Sequence, residues 1–218
     1  MRSHAEGRSG EPWFWKAVLQ TVVFSLIVGL AVAVLGPILA ARLSESLREP
    51  NCSEPRGLTR VTPTEVRASS ELPPERTKDG RSLEYRAQMS IDGDTGTAWV
   101  EGVSGLGLGE WVEYRFGKRE RFYLLCIVDG YALTWDLYQK NPRIRSIGIS
   151  TGGNDVTTAP LADAGTKDRF AVFQEVRSVE ALSSARVIRL TIVGVYGGSG
   201  RQRYADTSLS EVEFWAKE

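Results

Sequence analysis

The chain has 218 residues, two cysteines, one histidine, and 27 basic against 27 acidic side chains, for a formal net charge of zero. That length holds one ordinary domain with an appendage, or two small ones, and a composition 42% apolar and 25% charged is that of a folded protein. Charge balance gives no electrostatic case for nucleic acid as a partner, two cysteines cannot build a four-thiolate zinc site, and the lone His4 excludes histidine triads.

Residues 1–16 form a short tail ending in Trp13, Phe14, Trp15 and Lys16, an aromatic and cationic belt suited to a headgroup interface. Residues 17–41, from Ala17 to Ala41, then run without a charge. A helix of that length spans roughly 37 Å, enough to cross a hydrocarbon core of about 30 Å. A secretory signal is the competing reading, with Pro37 and Ile38-Leu39-Ala40 as its cleavage region. The run exceeds a signal core of about 7–15 residues, which predicts an uncleaved single-pass transmembrane anchor in the cell membrane. Arg2, Arg8 and Lys16 before the span balance Arg42, Arg48 and Arg56 after it, so the charge rule sets no orientation. The short N-terminus and long C-terminal region suit a C-terminal domain outside the cytoplasm. Ser25, Gly29 and Ala33 fall at i, i+4 and i+8, a small-residue stripe that would permit weak self-association, although such residues are common in spanning helices anyway.

Leu43 to Pro63 carries three prolines, mixed charges and little apolar periodicity, so residues 42–62 read as a linker. The folded region expected over 63–218 is made of short strands. Glu110–Phe116 alternates, with Val112, Tyr114 and Phe116 on one face. Phe122–Val128 is apolar on both faces, as in a central strand. Ile144–Ser150, Phe170–Val176, Val187–Val193 and Val212–Trp215 are further strand candidates, separated by Gly, Pro, Asn and Asp clusters. The fold class is all-β, an antiparallel β-sandwich or jelly roll.

Several motifs then fall in order: Ala68-Ser69-Ser70, the stretch from Asp92 to Gly102, and the Gly-rich turn Gly105–Trp111. Gly130-Tyr131, Lys140–Arg143, Val195–Gly198 and Asp206–Val212 follow. Over about Val61 to Glu218 the chain resembles the NAD-glycohydrolase translocation domain family, a galactose-binding-like, F5/8 type C (discoidin-like) sandwich associated with glycan binding. It departs from the family where Lys140-Asn141-Pro142-Arg143 stands in place of a doubled Asn before an Arg-Pro pair. Anchor and linker leave no place for a glycohydrolase catalytic domain, so the family name implies no such activity. The resemblance also implies a structural calcium, as related sandwiches often hold one where an Asp-rich loop meets the last strand. Asp92, Asp94, Thr97 and Glu211 are the candidate ligands, hard oxygens of the kind calcium takes. Turn chemistry, in which Asp bonds nearby backbone N–H groups, explains Asp-Gly-Asp equally.

Sugar binding needs an aromatic face and planar polar groups. Glu101, Tyr131, Trp135, Tyr138, Asn141 and Arg143 are the candidate ligand-binding residues. Pro142, Lys140 and Asp136 break strand register, so residues 130–143 are expected to form a surface loop at one end of the sandwich, although Trp135 and Tyr138 are as consistent with core. Trp99 and Trp111 read as core. Glu101 and Glu110 are the one pair resembling glycosidase carboxylates, but such chemistry needs a cleft between them, and closing a turn and opening an edge strand accounts for both. Cys126 reads as a small core hydrophobe and Cys52 lies in the linker; whether they pair stays open. The expected function is a non-enzymatic, membrane-anchored binding module for a glycan or another envelope component. A protein-interaction or sensory domain is the alternative, and a glycoside-acting enzyme is a weaker one.

Overall fold

The computed structural model describes residues 48–217, apart from 154, 164, 178–183 and 199–203, together with 33, 35–37 and 40. The chain divides into two units, Met1–Glu49 and Pro50–Glu218. The expected anchor and its small-residue stripe therefore lie almost wholly outside the described residues, which include Ala33 but neither Ser25 nor Gly29. Among the described residues no helix is long and apolar enough to cross a membrane.

In chain order the second unit comprises β1 (Thr59–Arg60), β2 (Glu65–Ala68), β3 (Glu75–Arg76), β4 (Ser82–Leu83), a 3-10 turn (Ala87–Ser90), β5 (Trp99–Val100), β6 (Trp111–Glu120) and β7 (Phe122–Asp129). The helix α1 (Trp135–Lys140) follows, then β8 (Arg143–Ser150), β9 (Thr157–Pro160), β10 (Gln174–Arg177), β11 (Ala185–Tyr196) and β12 (Ser208–Ala216). One five-stranded sheet runs β1-β12-β7-β10, with β5 also on β12; the other runs β2-β6-β11-β8-β9. All the pairings between these strands are antiparallel.

Alternation in the strands builds the core. Val112, Tyr114 and Phe116 of β6, Ile188, Leu190 and Ile192 of β11, and Ile147 and Ile149 of β8 meet Leu125 and Ile127 of β7 and Val212 and Phe214 of β12. Side chains two residues apart share a face, so each sheet contributes one apolar face to this layer. Tyr114 packs edge-on against Phe214 with centroids 4.8 Å apart, and its hydroxyl lies 2.8 Å from that of Ser90, which satisfies its one buried polar atom.

Strand β7 is central, between β12 and β10, and its outer face is buried too. Val128 of that face is covered by Ala132 and Tyr138, with Trp135, Phe170 and Phe173 packed beside them. Cys126, also on that face, is joined to Cys52, near the start of this unit, by a disulfide. Thus Cys126 is a cross-link and not a free core hydrophobe. The linker expectation also gives way here: the compact unit begins at Pro50, Thr59 and Arg60 pair with Ala216 and Trp215, and Cys52 N–H donates to Glu175 Oε1 at 3.3 Å. Local composition hid this, because polar, proline-containing residues are held by one covalent bond and one short strand. Trp111 is half-buried, under the Arg189 guanidinium at 4.1 Å from its ring centroid, so it packs on the outside of its sheet. Glu110 precedes an inner strand, β6, and not an edge.

Candidate functional site

Strand β7 ends at Asp129, and Gly130 turns the chain with φ +75°, a left-handed conformation that costs other residues energy. A Cβ there would also stand 2.8 Å from Arg143 Cγ and 3.0 Å from the Tyr138 ring. Strand β12 pins this turn: Gly130 N–H donates to Ser208 O at 3.0 Å, and buried Ser210 donates to Gly130 O at 2.8 Å while accepting from Ala132 N–H at 3.0 Å. Tyr131 is thereby held edge-on to Tyr85, centroids 6.0 Å apart.

Residues 134–141, expected as part of an open loop, form a short capped helix. Thr134 Oγ1 accepts from Leu137 N–H at 3.2 Å, Lys140 bonds Asp136 at 2.6 Å one turn away, and Asn141 Nδ2 donates to Leu137 O at 2.8 Å. The Asp136, Lys140 and Pro142 that break strand register do so because this stretch is a helix. Helical periodicity then sends its residues to two different clefts.

The first cleft lies between the β3–β4 hairpin, the turn after β7, α1 and the approach to β12. Its floor is apolar and aromatic, with Tyr85, Val100 and Tyr131 packed against Leu72, Leu83 and Leu137. Glu75, Asn141, Tyr204 and Asp206 complete its lining. Tyr85 Oη donates to Glu75 Oε2 at 3.4 Å. Burial pushes the Tyr85 and Tyr131 phenols up. Burial also raises the Asp206 carboxyl against the pull of its own backbone N–H, and the Glu75 charge adds to the rise.

The second cleft is lined by Trp135, Tyr138, Gln139, Arg143, Asp163, Gly165 and Gly197. Its most suggestive groups are already engaged. Arg143 donates two parallel bonds to Asp163, at 2.8 and 3.0 Å, and its remaining nitrogen donates to the carbonyls of Tyr138 in α1 at 3.1 Å and of Asn141, just past its end, at 3.0 Å. It therefore closes the helix C-terminus rather than offering a free fork. Tyr138, 2% exposed, has Trp135 stacked at 5.8 Å, Phe170 at 5.6 Å and the Arg143 guanidinium at 5.3 Å. No face of that ring is open to a sugar.

The six expected ligand-binding residues are thus divided. Tyr131 and Asn141 line the first cleft, Trp135, Tyr138 and Arg143 the second, and Glu101 neither. Glu101 is fully buried, accepting from Val103 N–H at 2.9 Å and Thr207 N–H at 3.0 Å, against Gly107, whose φ of +63° and absent Cβ make room for it. Burial pushes its carboxyl up, opposed by those two N–H groups. Glu110 accepts from the Ser69 and Ser70 hydroxyls at 2.6 and 2.5 Å. Glu101 and Glu110, the pair resembling glycosidase carboxylates, are thus both engaged in holding loops, as the turn reading expected. Sequence reading missed Tyr85, Glu75, Tyr204 and Asp206. Of these only Asp206 lay in a quoted motif, and the others come from segments without periodicity.

The Asp92–Thr97 loop shows a different convergence. Thr97 Oγ1 lies 2.9 and 2.8 Å from the two Asp92 carboxylate oxygens, 2.9 Å from Asp94 O and 3.2 Å from Met89 O. One hydroxyl proton satisfies one of these four acceptors, while Asp92 Oδ1 also accepts from Asp94 N–H at 3.0 Å and Asp94 O from Thr97 N–H at 3.1 Å. Glu211 adjoins them: Oε2 accepts from Gly93 N–H at 3.1 Å and Oε1 from Arg60 at 3.2 Å. Burial pushes its carboxyl up to about 7 against those partners, and Asp92 adds to the rise. Such crowded oxygen donors fit calcium. Among the described residues there is no group of three or more His, Cys, Asp or Glu suited to a metal, so a cation there would draw on backbone carbonyls and the hydroxyl as well. Asp94 Oδ1 accepts from Gly96 N–H at 2.8 Å, so Asp92 and Asp94 both also make the expected turn bonds.

Residues 59–215 match the NAD glycohydrolase translocation F5/8 type C domain. The chain belongs to that family. No curated protein matches it. Among solved structures it is similar to CpGH89CBM32-5 of Clostridium perfringens, solved with GalNAc-beta-1,3-galactose, at TM-score 0.49 and 18% identity over 70% of this chain and 94% of that one. It is also similar to the family 32 CBM of C. perfringens NanJ, solved with galactose, at TM-score 0.44 and 17% identity over 72% and 98%. A glycoside hydrolase matches at TM-score 0.46 and 15% identity, over 77% of this chain but 33% of that protein.

Proposed function

We propose that this family member is a binding module that takes a glycan, or a saccharide-bearing envelope component, in the first cleft and performs no chemistry on it. The carrying observation is the cleft itself: an aromatic floor of Tyr85 and Tyr131, with Tyr204, Asn141, Glu75 and Asp206 also in its lining. Apolar sugar faces pack on such a floor while hydroxyls meet the polar groups. Tyr85 and Tyr131 are themselves 5% and 7% exposed, so a ligand covers little further aromatic area on them; a single site is weak, and multivalent presentation is what makes it useful. The charge-free segment 17–41 supports an anchor that presents the domain outside the cytoplasm. The Cys52–Cys126 disulfide supports an oxidising compartment. Calcium in the Asp92–Thr97 loop would brace the start of β12 through Glu211.

A glycoside-cleaving reading has one observation in its favour, since Glu75 and Asp206 are a carboxylate pair that does line a cleft. Glu75 is exposed, outside the enclosed setting a glycosidase acid needs, so binding is the better supported reading. The test is a glycan array with the fragment starting at Pro50, followed by Tyr204→Ala. Tyr204 is 46% exposed, so its loss should leave the fold unchanged and cut binding to a multivalent surface about tenfold. Binding to no saccharide on the array, or unaltered binding by the variant, would count against the cleft; release of sugar from bound glycans would favour the enzyme.

A further inference from the structure

The charge of the first cleft deepens the glycan-binding reading, on which the following rests. Glu75 and Asp206 are the only charged residues in its lining among the described residues, and both are acids. Arg143, the cation best suited to receive a ligand carboxylate, lies in the other cleft and is held by Asp163 and the carbonyls of Tyr138 and Asn141. Lys140, on the helix between the clefts, is held by Asp136 at 2.6 Å.

We infer that this cleft selects neutral saccharide units and rejects uronic and other acidic sugars. An ionised carboxylate only accepts hydrogen bonds, so its ligand must supply donors, and neighbouring hydroxyls of a pyranose supply two in the right plane. A ligand carboxylate supplies none and brings a third negative charge beside two. The two side chains already oppose each other, because the Glu75 charge makes the Asp206 carboxyl harder to ionise. Burial of Asp206 leaves less water to screen an incoming anion there than on open surface.

The experiment uses two matched pairs of multivalent surfaces, galactose against galacturonic acid and glucose against glucuronic acid, each pair differing only in oxidation at C6. At low salt the full folded unit from Pro50 should bind at least one neutral surface ten times or more as tightly as its acid partner. The gap should narrow as salt is raised to 1 M, where the screening length falls to about 3 Å. Glu75→Gln and the double variant Glu75→Gln with Asp206→Asn should lower neutral binding and bring the acid surface to within about threefold of it. Glu75 is exposed on a hairpin, so the single variant is read even where the double one fails to fold. Acid surfaces bound as tightly as neutral ones, or a preference unchanged by Glu75→Gln, would overturn the selectivity and leave the glycan reading intact. Failure to bind any of these or of the array saccharides would overturn both.

Discussion

Asp129 ends the central strand β7 and is 2% exposed. Gln174 Nε2 donates to its Oδ1 at 2.8 Å, while Oδ2 has no hydrogen-bond partner among the described residues. Burial pushes this carboxyl from 3.8 up to about 7, against the Gln174 hydrogen bond and the attraction of Arg143; Asp163 adds a smaller upward push. The folded state therefore binds a proton that the unfolded state releases near pH 4. Stability is unaffected by this group below that point, falls as pH rises through the window between about 4 and 7, and stays lower above it. Three pH units at about 1.4 kcal/mol each amount to roughly 4 kcal/mol, a large share of the 5–15 kcal/mol by which small domains are stable. Asp129→Asn keeps the acceptor for Gln174 and cannot ionise. Part of its gain at high pH is offset by the new buried amide donors and by the lost attraction to Arg143. The expected net result is a variant no more stable than the parent at pH 5 and about 1–3 kcal/mol more stable at pH 8. Urea titrations of the unit from Pro50 at pH 5, 6, 7 and 8 measure this. Because Glu211 has the same sign and is present in both proteins, the parent-minus-variant difference isolates Asp129. Parallel parent and variant curves across that range would refute the reasoning.

Replacing Cys52 and Cys126 by Ser and Ala opens a link spanning 74 positions and should cost about 2–4 kcal/mol in the same titration, with reductant doing the same to the parent and nothing to the variant. Arg143→Ala removes the donors to the exposed Asp163 and leaves the Tyr138 and Asn141 carbonyls without a partner, so it should destabilise the fold by about 1–3 kcal/mol rather than weaken ligand binding on an intact fold; unchanged denaturation would contradict a structural role for this side chain. With calcium bound in the Asp92–Thr97 loop, a chelator should lower the Tm of the unit and added calcium restore it by mass action, while Asp92→Asn should abolish that response; a Tm indifferent to calcium would leave the loop as turn chemistry alone.

Two features were legible in the residues themselves. Alternation in 112–116 and the double-sided apolarity of 122–128 announced a sandwich with β7 at its centre, because strand periodicity is a local consequence of which face is buried. Gly130 announced its turn, because a left-handed backbone leaves a mark in residue type. The charge-free run of 17–41 is likewise a property of sequence, and its reading as an anchor rests there.

The tertiary structure decided what those residues do. Trp135, Tyr138 and Arg143 look like ligand-binding groups in a polar stretch, yet an aromatic serves equally as a stacking platform or as cover for a strand. Only the position of α1 over Val128, with Asp163 brought from twenty residues away, turned them inward. Glu101 looked available until Gly107 closed over it and Thr207, across 106 residues, bonded it. Conversely, Tyr85, Glu75, Tyr204 and Asp206 share a cleft because a hairpin and the approach to β12 meet there, a long-range juxtaposition that no spacing encodes. Cys52 and Cys126 follow the same rule. Burial and periodicity are written locally, but the partner of a polar or aromatic side chain is chosen by which distant segments the sheets bring together.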